Sequence, residues 1–152
     1  MLKILLVGVV SMLFLACEQK VKYTTNNDPL ETGRQFIEAS LKGNYEEAKK
    51  YILPDSVNIE YYNGLVKFND RLSAKEKEGY KNANIIINSA DNLSDSVTII
   101  SYSNTFKNTP AKIKLVKINN EWMVDFKYTF LDSKKTNDKA SIYTSKYTLM
   151  YA

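Results

Sequence analysis

Acid–base chemistry in this chain would depend on carboxylates and tyrosines, because the 152-residue sequence has no histidine and only one cysteine. Asp125 is the candidate general base, since a carboxylate enclosed by apolar side chains binds protons more tightly and suits that role. Lys127 follows two residues later and would lie on the same face of a strand. We expect these two side chains to pair, and we therefore assign no catalytic residue.

Aromatic side chains are the second group that can carry a function. The chain has eleven tyrosines, and tyrosine buries apolar area while it keeps a hydroxyl for one hydrogen bond. We expect most of them to pack in the core or at its rim. The alternative is a shallow pocket for a sugar, a peptide or a small apolar ligand. Its candidate residues are Tyr51, Tyr61, Tyr62, Tyr102, Trp122, Asp125 and Tyr128.

The composition argues against several classes of site. Without histidine or a second cysteine the chain lacks the usual zinc ligands, and we expect no metal and no cofactor. Five glycines leave little material for a phosphate-binding loop, and no such motif occurs. The formal net charge is +4, but the basic residues are scattered among acidic ones. A nucleic-acid-binding surface needs them concentrated, so nucleic acid is not an expected partner.

The only cysteine lies at the end of an apolar N-terminal segment. Lys3 precedes the apolar stretch 4–15, which is too short to span a bilayer comfortably and is typical of a signal peptide over residues 1–16. Residues 14–17 (FLAC) resemble a lipobox, the bacterial signal for cleavage before cysteine and for attachment of lipid to it. Because each buried CH₂ contributes roughly 0.8 kcal/mol, two or three acyl chains such as palmitate would hold Cys17 firmly on a membrane.

The residues after the cysteine predict a tether and one domain. Glu18 is not the aspartate of an inner-membrane retention signal, which favours the outer membrane of a Gram-negative envelope. Residues 17–27 are polar and lack periodicity, so we expect a flexible connection to the membrane. The domain would occupy residues 28–130, and a C-terminal extension would occupy 131–152.

The tripeptide Asp-Ser-Val occurs twice, with its serine at Ser56 and at Ser96. It resembles the acceptor motif of an O-glycosylation system in some Gram-negative bacteria. A helix cap at the first tripeptide and a turn at the second explain the same residues without modification. Both interpretations stay open.

Helical signals fill the first half of the domain. Asp28 and Pro29 predict the start of a first helix, and Gly43 predicts its end. A short second helix would begin at Asn44, with Glu47 completing a pattern like a capping box.

A third helix should begin at residues 55–56. Its apolar residues recur at spacings of three and four, which predicts one buried stripe. The stripe consists of Val57, Tyr61, Leu65, Phe68 and Leu72. The charged stretch 74–78 then predicts an exposed helix that ends near Gly79.

The second half has the β-branched and aromatic residues of strands. Strands are predicted at 85–87 and at 97–106, with a turn at 92–95. Residues 112–118 and 121–130 would form a hairpin through a two-residue turn, with the aromatic residues of the second strand on one face.

The order of these elements predicts the fold class. Helices followed by strands are typical of an α+β domain, in which the helices pack on one face of an antiparallel sheet. The polar stretch 132–139 would lead to a further strand over 141–151.

Two segments resemble a known superfamily. Residues 36–48 (FIEASLKGNYEEA) and 114–124 (KLVKINNEWMV) are similar to the turn between the first helices and to the late hairpin of nuclear-transport-factor-two-like (cystatin-like) proteins. Over residues 28–130 the chain more narrowly resembles a family of small Gram-negative lipoproteins of unknown function. The resemblance implies a cone-shaped fold with N-terminal helices on a curved antiparallel sheet. It implies no catalytic residues, although wider relatives perform acid–base chemistry inside the cone.

Together these features predict a cell-envelope lipoprotein with a non-catalytic binding domain. Its expected partners are the membrane, through lipid on Cys17, and an unidentified envelope protein, glycan or small apolar ligand. The first alternative is a cofactor-free enzyme, similar to an isomerase or dehydratase, that uses a buried aspartate or tyrosine. The second is a scaffold subunit that forms a homodimer through its sheet.

Overall fold

The computed structural model describes residues 27–131 of the chain. The predicted signal peptide and Cys17 lie outside the described residues, as do the tether up to residue 26 and the predicted strand at 141–151. Within the described residues, no helix has both the length and the apolar character that crossing a membrane requires.

Four helices precede a four-stranded sheet. The helices are α1 (Pro29–Leu41), α2 (Tyr45–Lys49), α3 (Ser56–Asp70) and α4 (Ala74–Lys81). The strands are β1 (Ile85–Ser94), β2 (Val97–Asn104), β3 (Ala111–Ile118) and β4 (Glu121–Val124), and a short helix α5 (Tyr128–Leu131) follows them. All neighbouring strands pair antiparallel, in the order β1-β2-β3-β4. The predicted α+β arrangement, with helices N-terminal to an antiparallel sheet, is confirmed.

The first helix begins and ends where its capping residues predict. Asp28 accepts a hydrogen bond from the backbone N–H of Leu30 at 3.0 Å, and Pro29 occupies the first turn. Gly43 follows the helix with a φ of +75°, a left-handed conformation that costs glycine little.

The second helix lacks the predicted capping box. Asn44 has φ and ψ of −83° and 65°, outside the extended region that lets an N-cap side chain reach the helix, and it makes no such hydrogen bond. Glu47 instead accepts a hydrogen bond from Lys50 Nζ at 2.6 Å. Ala48, Tyr51 and Ile52 of this segment are buried.

The third helix follows the predicted stripe in part. Leu65 is buried and Tyr61, Phe68 and Leu72 pack against the core, but Val57 is 45 % exposed. Asn58 and Tyr62 are buried as well. Apolar spacing gave no weight to Asn58, whose side-chain amide is held inside by a hydrogen bond to Asp125.

The fourth helix extends past its predicted end. Ser73 and Glu76 form a capping box at its start. The helix continues through Gly79 to Lys81, and the ring of Phe106 lies in the space that a Cβ on Gly79 would occupy. Gly79 therefore lets that ring approach the helix and does not end it.

The turns between strands are tight. Residues 92–94, predicted as a turn, continue β1, and only Asp95 and Ser96 reverse the chain. The predicted hairpin between β3 and β4 is confirmed. Its turn residues Asn119 and Asn120 have φ of 50° and 67°, as a type I′ turn requires.

The last strand is shorter than predicted and ends at Val124. The backbone N–H of Lys127 donates to Asn58 Oδ1 at 2.7 Å. The N–H of Tyr128 donates to the carbonyl of Asp125 at 3.1 Å, which turns the chain into α5. The prediction that residues 121–130 form one strand with a single aromatic face is therefore wrong in its second half.

The core lies between the helices and one face of the sheet. Gly33 marks the closest approach of α1, because a Cβ there would lie 2.5 Å from Ile100 Cδ1. Ile113 and Leu115 are buried beside it on β3. At the β4 edge of the sheet, Ile52 forms a parallel bridge to Val124, so the segment after α2 runs beside β4.

Candidate functional site

Aromatic rings fill the interior of the domain. The ring centroid of Phe126 lies 5.7 Å from that of Phe36 and 5.9 Å from that of Tyr62. Phe130 lies 5.1 Å away, and all four side chains are buried. The hydroxyl of Tyr62 donates to the carbonyl of Tyr45 at 2.7 Å. Protein side chains therefore occupy the space around Phe126. The one hydroxyl among these four side chains, that of Tyr62, is already hydrogen-bonded.

Four of the predicted pocket residues belong to this core or its margin. Tyr51, Tyr62 and Tyr102 are buried. Tyr61 stacks on Phe130, with centroids 5.1 Å apart and ring planes at 16°. Burial raises the pKa of the Tyr102 hydroxyl above its usual range.

A fifth predicted residue, Trp122, is buried in the same core cluster, at one end of the sheet beside the start of α1. The other two lie after β4. Asp125 follows β4, and Tyr128 is half-buried in α5, with Lys114 Nζ 6.0 Å from its ring centroid. The structure does not bring the seven residues together around a single cavity.

Asp125 belongs to a network that joins α3 to the end of the sheet. Its carboxylate lies 3.4 Å from Lys114 Nζ and 3.3 Å from Lys127 Nζ. The Asn58 amide also donates to it, at 3.2 Å. Lys127 Nζ contacts Asp55 at 3.3 Å as well. The predicted pairing of Asp125 with Lys127 is confirmed.

Hydrogen bonds and ion pairs in this network shift the pKa values of Asp55 and Lys127. The backbone N–H of Asn58 is the main cause that lowers the pKa of Asp55, and the side chains of Asn58 and Lys127 lower it further. Burial opposes the charge of Lys127, but Asp125 and Asp55 outweigh it and raise the lysine pKa. The contacts of Asp125 therefore fasten two elements together, which is a structural role.

Both serines of the Asp-Ser-Val tripeptides are exposed. Ser56 is the first residue of α3, and Asp55 caps that helix by accepting the N–H of Asn58 at 2.9 Å. Ser96 lies in the β1–β2 turn, where its backbone N–H donates to Ser94 Oγ at 3.3 Å. The cap and the turn are present as predicted, and O-glycosylation at either serine stays a prediction.

A groove of about 340 Å³ opens between α1 and the junction of α4 with β1. We call it the basic groove. Its walls and floor include Arg34, Glu38, Lys42, Lys81, Ile85 and Ile87.

Ion pairs along α1 shape the wall of the basic groove. Arg34 donates two hydrogen bonds to Glu31, at 2.8 and 2.9 Å, which raise the pKa of the arginine and lower that of the glutamate. Glu38 lies 2.5 Å from Lys42 Nζ and 3.6 Å from Arg34. With Lys81 on the opposite wall, three cations line the groove. Two carboxylates, Glu38 and the adjacent Glu31, pair with Arg34 and Lys42. Three positive and two negative side chains leave one net positive charge.

A second groove, of about 350 Å³, lies where the start of α1 meets the turn between β1 and β2. We call it the tryptophan groove. Its lining includes Asn27, Asn92, Asp95, Thr98, Lys117 and Trp122. Of these residues the sequence singled out only Trp122.

Among residues 27–131, no three histidine, cysteine, aspartate or glutamate side chains are grouped to hold a metal ion. Comparison with known proteins gives no identity, because no protein-family model, no curated protein and no solved structure matches the chain. The resemblance to cystatin-like lipoproteins therefore stays a prediction. The surface of the domain remains the basis for a functional proposal.

Proposed function

We propose that this chain is a lipid-anchored protein of the bacterial cell envelope, in which Cys17 carries the lipid and the domain is a non-catalytic binding module. Its ligand is an anion with an apolar part, and it binds in the basic groove. The observation that carries this proposal is a positively charged groove on the surface of a domain whose interior is filled by side chains.

The lining of the basic groove has two chemical parts. Ile85 and Ile87 pair with Asn104 and Tyr102 of β2, two buried residues, so their side chains face the helices and form an apolar floor. Arg34, Lys42 and Lys81 provide cations above it. A carboxylate or phosphate joined to an aliphatic group satisfies both parts at once, because the charged end can pair with the cations while the apolar end covers the floor.

The contacts of Asp125 and Tyr62 give no support to the enzyme alternative. An acid–base enzyme of this kind needs a carboxylate or hydroxyl that faces enclosed space. Asp125 is paired with Lys114 and Lys127, and Tyr62 donates its hydroxyl to a backbone carbonyl. Binding at the surface makes no such demand.

The test of ligand binding is an NMR titration of the isotope-labelled full chain in nanodiscs. Octanoate is the anionic probe, and octanamide is its uncharged match. We expect saturable shifts at Ile85, Ile87 and Leu41, which also lines the groove, with octanoate and none with octanamide. Equal shifts with both probes, or none with octanoate, would contradict the proposed ligand class.

A pair of lysine variants locates the anion. Lys81→Gln removes a cation from the wall, and we expect about threefold to tenfold weaker octanoate binding. Lys75→Gln is the matched control, because Lys75 is exposed on the same helix and lies outside the groove lining. Equal weakening by both variants would indicate general charge attraction and would remove the groove from the proposal.

The lipid anchor has its own test. Growing a Gram-negative host with alkyne-labelled palmitate should label the wild-type chain, and Cys17→Ser should abolish the label. A wild-type chain that is expressed and exported without label would contradict the anchor, whatever the groove binds.

A scaffold that dimerises through its sheet is the second candidate function, and the edge of β1 favours it. Within residues 27–131, β1 pairs only with β2, and its other edge is open. The ten-residue strand has no lysine and no proline, the residues that commonly protect an exposed edge from pairing. Two copies joined antiparallel along β1 would form an isologous dimer.

Light scattering at increasing concentrations of the full chain in detergent tests this candidate. We expect a dimer that Asn88→Lys, an exposed change on β1, converts to monomer. Asn63→Lys, an exposed change on α3, should leave the dimer intact. A wild-type chain that is monomeric at every concentration would exclude the scaffold.

A further inference from the structure

The floor of the tryptophan groove is an indole held in one orientation. Trp122 lies opposite Lys117 in the β3–β4 ladder, and its Nε1–H donates to the carbonyl of Asn27 at 3.2 Å. The Nζ of Lys117 lies 5.9 Å from the ring centroid. Trp122 is 6 % exposed, so a small part of the indole reaches the groove. That part offers an apolar contact at a fixed position.

Polar side chains surround the exposed part of the Trp122 indole. Thr98 is buried and donates its hydroxyl to Asn92 Oδ1 at 2.8 Å. The bond fixes the Asn92 amide and leaves its NH₂ group as a donor. Asp95, in the turn between β1 and β2, adds two acceptor oxygens to the same lining.

The charges of the lining balance. Lys117 and Asp95 contribute one positive and one negative side chain, which distinguishes this groove from the basic groove. Donors and acceptors that converge beside an aromatic side chain match a ring with hydroxyls on its rim and C–H groups on its faces. A volume of about 350 Å³ is near the lower end of ligand pockets and suits one or two such rings. We propose that the tryptophan groove binds a neutral carbohydrate.

The position of the groove gives such a ligand a source. Asn27 forms part of the lining and lies ten residues after Cys17. Ten extended residues span at most about 35 Å. A lipid on Cys17 would therefore keep the groove close to the membrane, within reach of envelope glycans. This source rests on the proposed lipid anchor, whereas the recognition of sugar does not.

Intrinsic fluorescence offers a direct test, because Trp122 is the only tryptophan in the chain. The full chain in nanodiscs is titrated with chitotriose, maltotriose and cellotriose. We expect at least one of the three to change the emission in a saturable way. We also expect amide shifts at Asn92, Thr98 and Trp122 in NMR spectra with the same probe. No saturable change with any of the three sugars would overturn the proposal.

Variants at the rim separate recognition from folding. Asn92→Ala and Asp95→Asn alter exposed side chains, and each should weaken the responding sugar about tenfold. Asn63→Ala, an exposed change on α3, is the control and should bind as the wild type does. Unchanged affinity in both rim variants would overturn the proposal even if the emission responds.

The proposals for the two grooves can be contradicted independently. A sugar that shifts Leu41 and Ile85 but leaves Trp122 unchanged would contradict a site in the tryptophan groove while it shows a ligand at the other. Failure of octanoate to bind would leave the sugar titration untouched. The labelling of Cys17 tests the anchor independently of both.

Discussion

Asn58 donates a hydrogen bond from its side-chain amide to Oδ1 of Asp125 across 3.2 Å, although 67 residues separate them in the sequence. Asn58 is fully buried, and its own Oδ1 accepts the backbone N–H of Lys127 at 2.7 Å. One side chain on α3 therefore fixes both a carboxylate and the turn that follows β4.

Removing this amide should destabilise the domain strongly. In Asn58→Ala the buried N–H of Lys127 loses its acceptor and Asp125 loses a donor, so we expect a loss of about 2–4 kcal/mol in the free energy of unfolding. Urea denaturation of the full chain measures it. Asn63→Ala, at an exposed position of the same helix, should change the free energy by less than about 0.5 kcal/mol. A loss in Asn58→Ala no larger than in this control would mean that the network is not structural.

Acid should weaken the domain partly through Asp55. The pKa of Asp55 is lowered in the folded protein, chiefly by the backbone N–H of Asn58. Its stabilising contribution is therefore complete above the unfolded pKa of about 4, and it is lost as the pH falls through the folded value. Asp55→Asn keeps a capping residue but has no titrating group. Unfolding free energies from pH 7 to 2.5 should show a deficit for Asp55→Asn at neutral pH that disappears in acid. Profiles that stay parallel across this range would contradict the role of the charge.

Close packing at Gly33 predicts a steric penalty. Gly33→Ala places a Cβ 2.5 Å from Ile100 Cδ1, so we expect a destabilisation of about 1–3 kcal/mol by urea denaturation. Ile100→Val removes that Cδ1 and should cost about 0.5–1.5 kcal/mol alone. The double variant should lose less than the sum of the two single losses, because the valine makes room for the alanine. Strict additivity would show that the contact at Gly33 is not limiting.

The hairpin turn should discriminate by backbone conformation. Asn120 has a φ of 67°, where β-branched residues are strongly disfavoured. Asn120→Val should therefore cost about 1–2 kcal/mol, whereas Asn120→Gly should change stability by less than about 0.5 kcal/mol. Thermal unfolding by circular dichroism compares the two variants. Equal effects would indicate that the turn relaxes to another type.

Local signals predicted the elements whose ends are set locally. Asp28 marks the start of α1 and Gly43 marks its end. Both signals are local, because a capping side chain and a left-handed glycine act on residues within one helical turn. The type I′ turn at Asn119 and Asn120 is local in the same way.

Predictions failed where a distant residue decides. The aromatic alternation after Trp122 continues through Phe130, yet β4 ends at Val124 because Asn58, far away in the sequence, takes the N–H of Lys127. Gly79 lies within α4, where the ring of Phe106 packs against it, although glycine predicted the end of the helix. No pattern within either segment contains that information.

The grooves could be predicted only in part. Arg34, Glu38 and Lys42 follow one another at spacings of four, which places them on one face of α1 and was visible in the sequence. Lys81 and Ile85 reach that face only through the packing of the α4–β1 junction against α1. A positive groove with an apolar floor is therefore a property of the tertiary fold.

The two edges of the sheet are unequal. At the β4 side, Leu53 N–H donates to Val124 O at 3.0 Å, and Val124 N–H donates to Tyr51 O at 2.7 Å. These groups at Val124 are already used, so another strand cannot pair there. Among the described residues, β1 therefore offers the longer open edge. Two chains joined along β1 would bury that edge in the pair and leave a third chain only the short edge before Val124.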